Sequence, residues 1–127
     1  MGKYGRTAVM AAELVERDPR VAPREAWQRA VDEVFATSES GRKKACPRDA
    51  FLGLCEAGVV RGVRAGPYTG SEKNKGYVLR ALEVVRKDSR LLANQAAPWR
   101  RAVGHGDKAH NQQLDVLRGL WESGRIR

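Results

Sequence analysis

The chain has 127 residues, 42% hydrophobic and 31% charged, and its 24 Lys and Arg outweigh 15 Asp and Glu to give a formal charge of +9. That length predicts one domain with a single modest core, and the composition excludes wholesale disorder. No apolar run approaches the ~20 residues of a membrane span, and Glu13 and Arg17 interrupt the N-terminal segment before it forms a signal-peptide core, so a cytoplasmic protein without membrane contact is expected.

The first predicted helix covers about 4–17. Val9, Met10, Leu14 and Val15 join Ala8, Ala11 and Ala12 in a small-residue apolar face suited to close packing. Asp18-Pro19 ends it, because proline steers the preceding residue away from the α region. The second helix starts at Pro23, a first-turn proline, and repeats apolar pairs at Ala26/Trp27, Ala30/Val31 and Val34/Phe35. That spacing makes Trp27 a core anchor rather than a stacking platform. Residues 37–45, TSESGRKKA, break the period with Ser, Gly and charge and predict a loop.

The third helix is expected over about 47–57, with Pro47 in its first turn, Phe51, Leu52, Leu54 and Cys55 on its apolar side, and Gly58 as a left-handed C-cap. Gly53 inside it costs about 1 kcal/mol relative to alanine, a cost that a closely packed neighbouring helix would offset. VVRGVR then fits a short strand or β-ribbon arm, and AGPYTGS a turn. The fourth helix runs from about Ser71 or Asn74 to Lys87 with a core stripe of Tyr77/Val78, Ala81/Leu82 and Val85. Residues 89–106 read as irregular, with Leu91 and Leu92 tucked into the core and one helical turn at 98–101. The last helix takes Asp107 as N-cap, buries Leu114, Val116, Leu117, Leu120 and Trp121, and closes at Gly124 with Ile126 folding back. The sum is an all-α single domain of about five helices over residues 1–127, with a β-ribbon or irregular arm between the third and fourth.

Chemistry is harder to find. Cys46 and Cys55 are nine residues apart; on one helix that separates them by roughly 13 Å, beyond the about 7 Å a disulfide tolerates. With only His105 and His110 beside them they make a poor zinc set, so neither metal nor cofactor is expected. Cys46 lies at a helix start near Lys43, Lys44 and Arg48, surroundings that favour a thiolate, yet nothing places a base beside it. Asp32 and Glu33 are adjacent and point apart. No catalytic residue emerges, and a non-enzymatic protein is the expectation.

The charge is uneven. Residues 1–41 sum to −1, whereas 42–75 and 76–127 each sum to +5. An excess of this kind favours an anionic partner, nucleic acid first and a phosphate-bearing ligand second, against the plain alternative of a solvated basic surface. The expected anion site is the start of the fourth helix, where Tyr68, Thr69, Ser71, Lys73, Asn74 and Lys75 meet free backbone N–H groups and the positive end of the helix dipole. Gly66, Gly70 and Gly76 let backbone approach a phosphate, although the GxxxxGK[ST] spacing is absent. Arg42, Lys43, Lys44, Arg48, Arg61 and Arg64 would add contacts to a nucleic-acid backbone. Fifteen residues separate Gly58 from Asn74, too many for a helix-turn-helix. Two further readings compete: a protein-interaction module or homodimer using the alanine-rich first helix or the last helix, and a small enzyme or nucleotide-binding protein working at 66–77.

The runs CPRDAFLGLCEAGVVRGV and PYTGSEKNKGY and the ending NQQLDVLRGLWESGRI resemble a family of small uncharacterised bacterial proteins, a domain of unknown function. The resemblance spans most of the chain and implies one coherent domain. It implies no activity and no site residue.

Overall fold

A computed structural model describes residues 1–93 and 111–127. Six α-helices appear among them: α1 (Lys3–Arg17), α2 (Pro23–Val34), α3 (Glu39–Arg42), α4 (Ala45–Glu56), α5 (Glu72–Lys87) and α6 (Asn111–Glu122), with a 3-10 turn at Ser89–Ala93. The fold is all-α. Of the two forms expected between the third and fourth long helices, the irregular arm is the one present. The only β-type pairing among the described residues is a single antiparallel bridge between Val60 and Ile126.

Two helices form the centre. On α4 every residue from Asp49 to Cys55 is buried, and on α6 so are Gln113–Leu117, Gly119 and Leu120. Around this pair, α1 packs on α2 and α6, and α5 packs on α4 and α6. Trp27 is 1% exposed and stacks obliquely on Phe51 with ring centroids 5.4 Å apart, which ties α2 to α4 as the core-anchor reading expects. Ala8, Ala11 and Ala12 are fully buried. The small-residue face of α1 is therefore occupied inside the fold.

Two helix endings follow the sequence closely. Gly58 has φ +77°, its N–H bonds Cys55 O, and Val59 N–H bonds Leu54 O. Gly124 has φ +74°, its N–H bonds Trp121 O, and Arg125 N–H bonds Leu120 O. Both are the paired 5→2 and 6→1 closures of a Schellman ending. Gly53 meets its close neighbour too, since a Cβ there would lie 2.8 Å from Lys75 Cα on α5.

Two expectations need correction. The loop at 37–45 contains α3, because the Ser38 side chain accepts the Gly41 N–H and caps a turn that the polar composition hid. The next helix begins at Ala45, so Cys46 lies in its first turn and not before it. Gln113, a polar residue of α6, is 1% exposed, with its amide nitrogen 3.4 Å from Asn74 Oδ1. Leu92 is buried as expected, whereas Leu91 is half-buried. The turn at 98–101, Trp99, His105, the Asp107 cap and His110 lie outside the described residues.

Candidate anion-binding site

The arm from Gly58 to Ser71 has no regular ladder to hold it, so its polar groups must find individual partners. Val63, 1% exposed, pins its middle to the core. Its first part is held by Val60, fully buried and bridged to Ile126, and by the Arg61 N–H on Arg125 O, and one carboxylate anchors its far end. Glu56, the last residue of α4, accepts the Tyr68 N–H at 2.9 Å and the Thr69 N–H at 3.2 Å on Oε1, and Lys75 Nζ at 2.5 Å on Oε2. The Lys75 hydrogen bond, reinforced by the Thr69 and Tyr68 N–H groups, holds the Glu56 carboxyl below its usual range, and the same bond raises Lys75. Thr69 Oγ1 donates to Asp49 Oδ1 at 3.2 Å and accepts the Ser71 N–H at 3.1 Å. Ser71 caps α5 by accepting the Asn74 N–H and side-chain amide at 3.3 and 3.0 Å.

The start of α5 thus gathers donors as its sequence suggests, and an internal carboxylate and a serine hydroxyl engage them. Tyr68, Thr69, Ser71, Asn74 and Lys75 come together as a structural knot. Lys73 points elsewhere, its Nζ 5.7 Å from the Tyr77 ring centroid.

The remaining basic residues disperse. Arg42 closes α2, donating to Phe35 O at 2.8 Å and Ala36 O at 3.0 Å. Lys43 pairs with Glu39 at 2.7 Å, and Lys44 is exposed at the N-cap of α4. Arg61 is exposed where the arm meets the C-terminus, its N–H bonding Arg125 O at 2.7 Å. Cys46 is exposed and Cys55 buried, both free on α4, and burial pushes the Cys55 thiol up.

Of the expected residues, Arg64 and Tyr68 share one hollow and Arg48 lines the next, and two arginines not singled out from the sequence join them, Arg20 in the first and Arg24 in the second. A hollow of about 410 Å³ opens between the α1–α2 connection and the arm, lined by Val15, Pro19, Arg20, Val21, Pro23 and, opposite, Gly62, Arg64 and Tyr68, with Ala22 on its edge. Ala22 also borders a shallower hollow walled by Arg24, Glu25, Gln28 and Arg48. Tyr68 lines the first of them: its hydroxyl donates to Arg64 O at 2.7 Å, and its carbonyl accepts from Arg24 Nη2 at 3.5 Å. Arg48 Nε is 3.5 Å from Asp49 Oδ1, close enough for charge pairing but outside hydrogen-bond geometry. The two hollows together present four arginines and one glutamate; Glu25 is paired with Arg29 at 2.8 Å, and Arg20 is held by Asp18 at 2.9 and 3.3 Å.

A sequence signal for Arg24 did exist. It occupies the first turn of α2, where the helix dipole disfavours a cation and the N-cap, Ala22, supplies no side-chain bond. A local conflict of that kind marks a position chosen for something other than the helix. Glu56 carried no signal, because its role depends on contacts 12, 13 and 19 residues away.

These features define a small all-α protein with an arginine-rimmed hollow beside an anchored arm. The chain belongs to the family of unknown function DUF6979, whose model matches residues 1–127. Neither a curated protein nor a solved structure matches it. Among the described residues no helix is long and apolar enough to cross a membrane.

Proposed function

We propose that this chain is a non-enzymatic binding protein for an anionic partner, nucleic acid, and that it meets phosphates with Arg20, Arg24, Arg48 and Arg64. The observation that carries the reading is that four arginines and one glutamate line two hollows joined at Ala22, with Arg24 and Arg64 outside any carboxylate pair among the described residues and Arg20 and Arg48 beside Asp18 and Asp49. Arginine suits this task because its planar fork bonds phosphate oxygens in pairs and stays charged at any working pH. The uncapped N-terminus of α2 adds its positive dipole end at the shared wall. A protein partner for the apolar faces of α1 or α6 has less support, since those faces lie in the core.

The test is fluorescence anisotropy with short DNA and RNA, single- and double-stranded, across a salt series. Neutralised phosphates release counterions, so binding should weaken log-linearly with salt. Absence of binding at low ionic strength would end the reading and leave +9 as surface composition.

A further inference from the structure

Resting on the nucleic-acid reading, we infer that the deeper hollow takes one unstacked base of a single strand, so that the chain binds single-stranded nucleic acid in preference to duplex. Its volume of about 410 Å³ is that of a pocket for a small organic ligand and far too narrow for a helix groove. Val15, Pro19, Val21 and Pro23 give it apolar walls on one side, and Tyr68 lines the other. A heteroaromatic ring matches that combination. In a duplex both faces of each base are covered by its neighbours, whereas a single strand can turn one out.

Tyr68 is prepared for contact. Glu56 holds its N–H, Arg24 its carbonyl and the Arg64 carbonyl its hydroxyl. Gly66 lies close to the ring, where a Cβ would come within 3.0 Å of Tyr68 Cζ. A ring already fixed at both ends loses little freedom when a ligand covers it. The arginines decide between a strand and a free nucleotide. Arg20, itself paired with Asp18, and Arg64 rim the deep hollow, and past the shared Ala22 the shallow one carries Arg24 and Arg48. A strand with one base inserted can set its flanking phosphates against the arginines of both hollows. A mononucleotide reaches only some of them.

The decisive experiment compares a fluorescein-labelled oligo-dT of ~12 nucleotides with the same strand annealed to oligo-dA, on the full chain and two variants. Ala22→Leu fills the shared wall without adding an aromatic face; Ala22 is exposed and its side chain makes no cap bond, so the fold tolerates it. Tyr68→Leu removes the ring. Wild type should bind the single strand more tightly than the duplex, and each variant should lose about tenfold on the strand, so that the preference for strand over duplex shrinks. Equal affinity for strand and duplex, or undiminished strand binding by Ala22→Leu, would overturn base insertion while salt-dependent binding kept the broader reading alive. Failure to bind either probe at low salt overturns both. Thymidine monophosphate displacing the strand at a concentration near the strand's own Kd would assign the hollow to a free nucleotide and overturn the strand as its occupant.

Discussion

Asp115 reaches from α6 to the first turn of α1, where its two oxygens accept the Gly2 N–H at 2.6 Å and the Gly5 N–H at 2.8 Å. Gly2, the N-cap of α1, has no side chain to do this, so a buried carboxylate 113 residues away supplies the cap. Removing it leaves the buried Gly5 N–H unpaired and the exposed Gly2 N–H to water, and Asp115→Ala should cost about 2 kcal/mol in urea unfolding. Asp115→Asn, which keeps one acceptor, should recover part of that. A midpoint unchanged in Asp115→Ala would show that water replaces the carboxylate at no cost. Glu56 makes a second prediction, this one in pH. Its folded carboxyl lies below its unfolded value, so its contribution is present above the ordinary glutamate range, around pH ~4.3, and is lost as pH falls through the folded value. Lys75, raised by the same contact, keeps its share below the ordinary lysine range and loses it as pH climbs through the raised value. Acid denaturation of Glu56→Gln should therefore show a shallower loss between pH ~5 and ~3 than wild type; parallel profiles would remove Glu56 from the arm's support. Neither Asp115 nor Glu56 was legible as an anchor. A carboxylate in a sequence carries no mark of which distant N–H it will meet.

Helix crossings obey a different limit, the distance between backbones. At the crossing of α1 and α6 a Cβ on Gly119 would come within 2.6 Å of Gly5 Cα and O, atoms that cannot rotate aside. Gly119→Ala gains about 1 kcal/mol of helix propensity but forces the helices apart at a cost of about 1–3 kcal/mol. A thermal melt should fall by roughly 5 °C for a net loss of about 1 kcal/mol. Gly76→Ala is the contrast: its Cβ would approach only Arg80 Nη1, at 3.1 Å, the far end of a flexible side chain. Propensity should win there, leaving the melting temperature level or higher, and a fall matching that of Gly119→Ala would refute the crossing argument. Of these close approaches, the sequence exposed Gly53, because a glycine between Leu52 and Leu54 in a helical period needs an explanation. Gly5 was hidden near a chain end among small residues. The long helices and the caps at Gly58 and Gly124 were readable because apolar period and left-handed glycine are local signals. α3 was not, since four residues are too few to show a period, and Gly41 is there because a Cβ would collide with the Phe35 ring.

For the molecule as a whole, a charge of +9 does not say where an anion binds. Much of the basic set is engaged at home: Arg42 at the end of α2, Lys75 on Glu56, Arg118 on Glu122, Arg125 on Glu16 and, on the rim itself, Arg20 on Asp18. The sequence located a basic half of the chain, and two of the four rim arginines, Arg20 and Arg24, come from the half it read as acidic. Folding brings them to Arg64 and Tyr68 across 44 residues, which no count along the chain could anticipate. Whether the hollow or the total charge governs binding is decided by two substitutions that remove the same charge. Arg64→Ala takes a cation from the hollow. Arg6→Ala takes one from the exposed face of α1, nine residues and about 13 Å along the helix from Val15 at the hollow's wall. If phosphates are held in the hollow, Arg64→Ala should weaken oligonucleotide binding about fivefold and lower the salt slope by about one, with Arg6→Ala close to wild type. Equal losses in the two would mean that the field of the whole surface holds the nucleic acid, because a long-range attraction depends on how many charges there are and hardly on which one is removed.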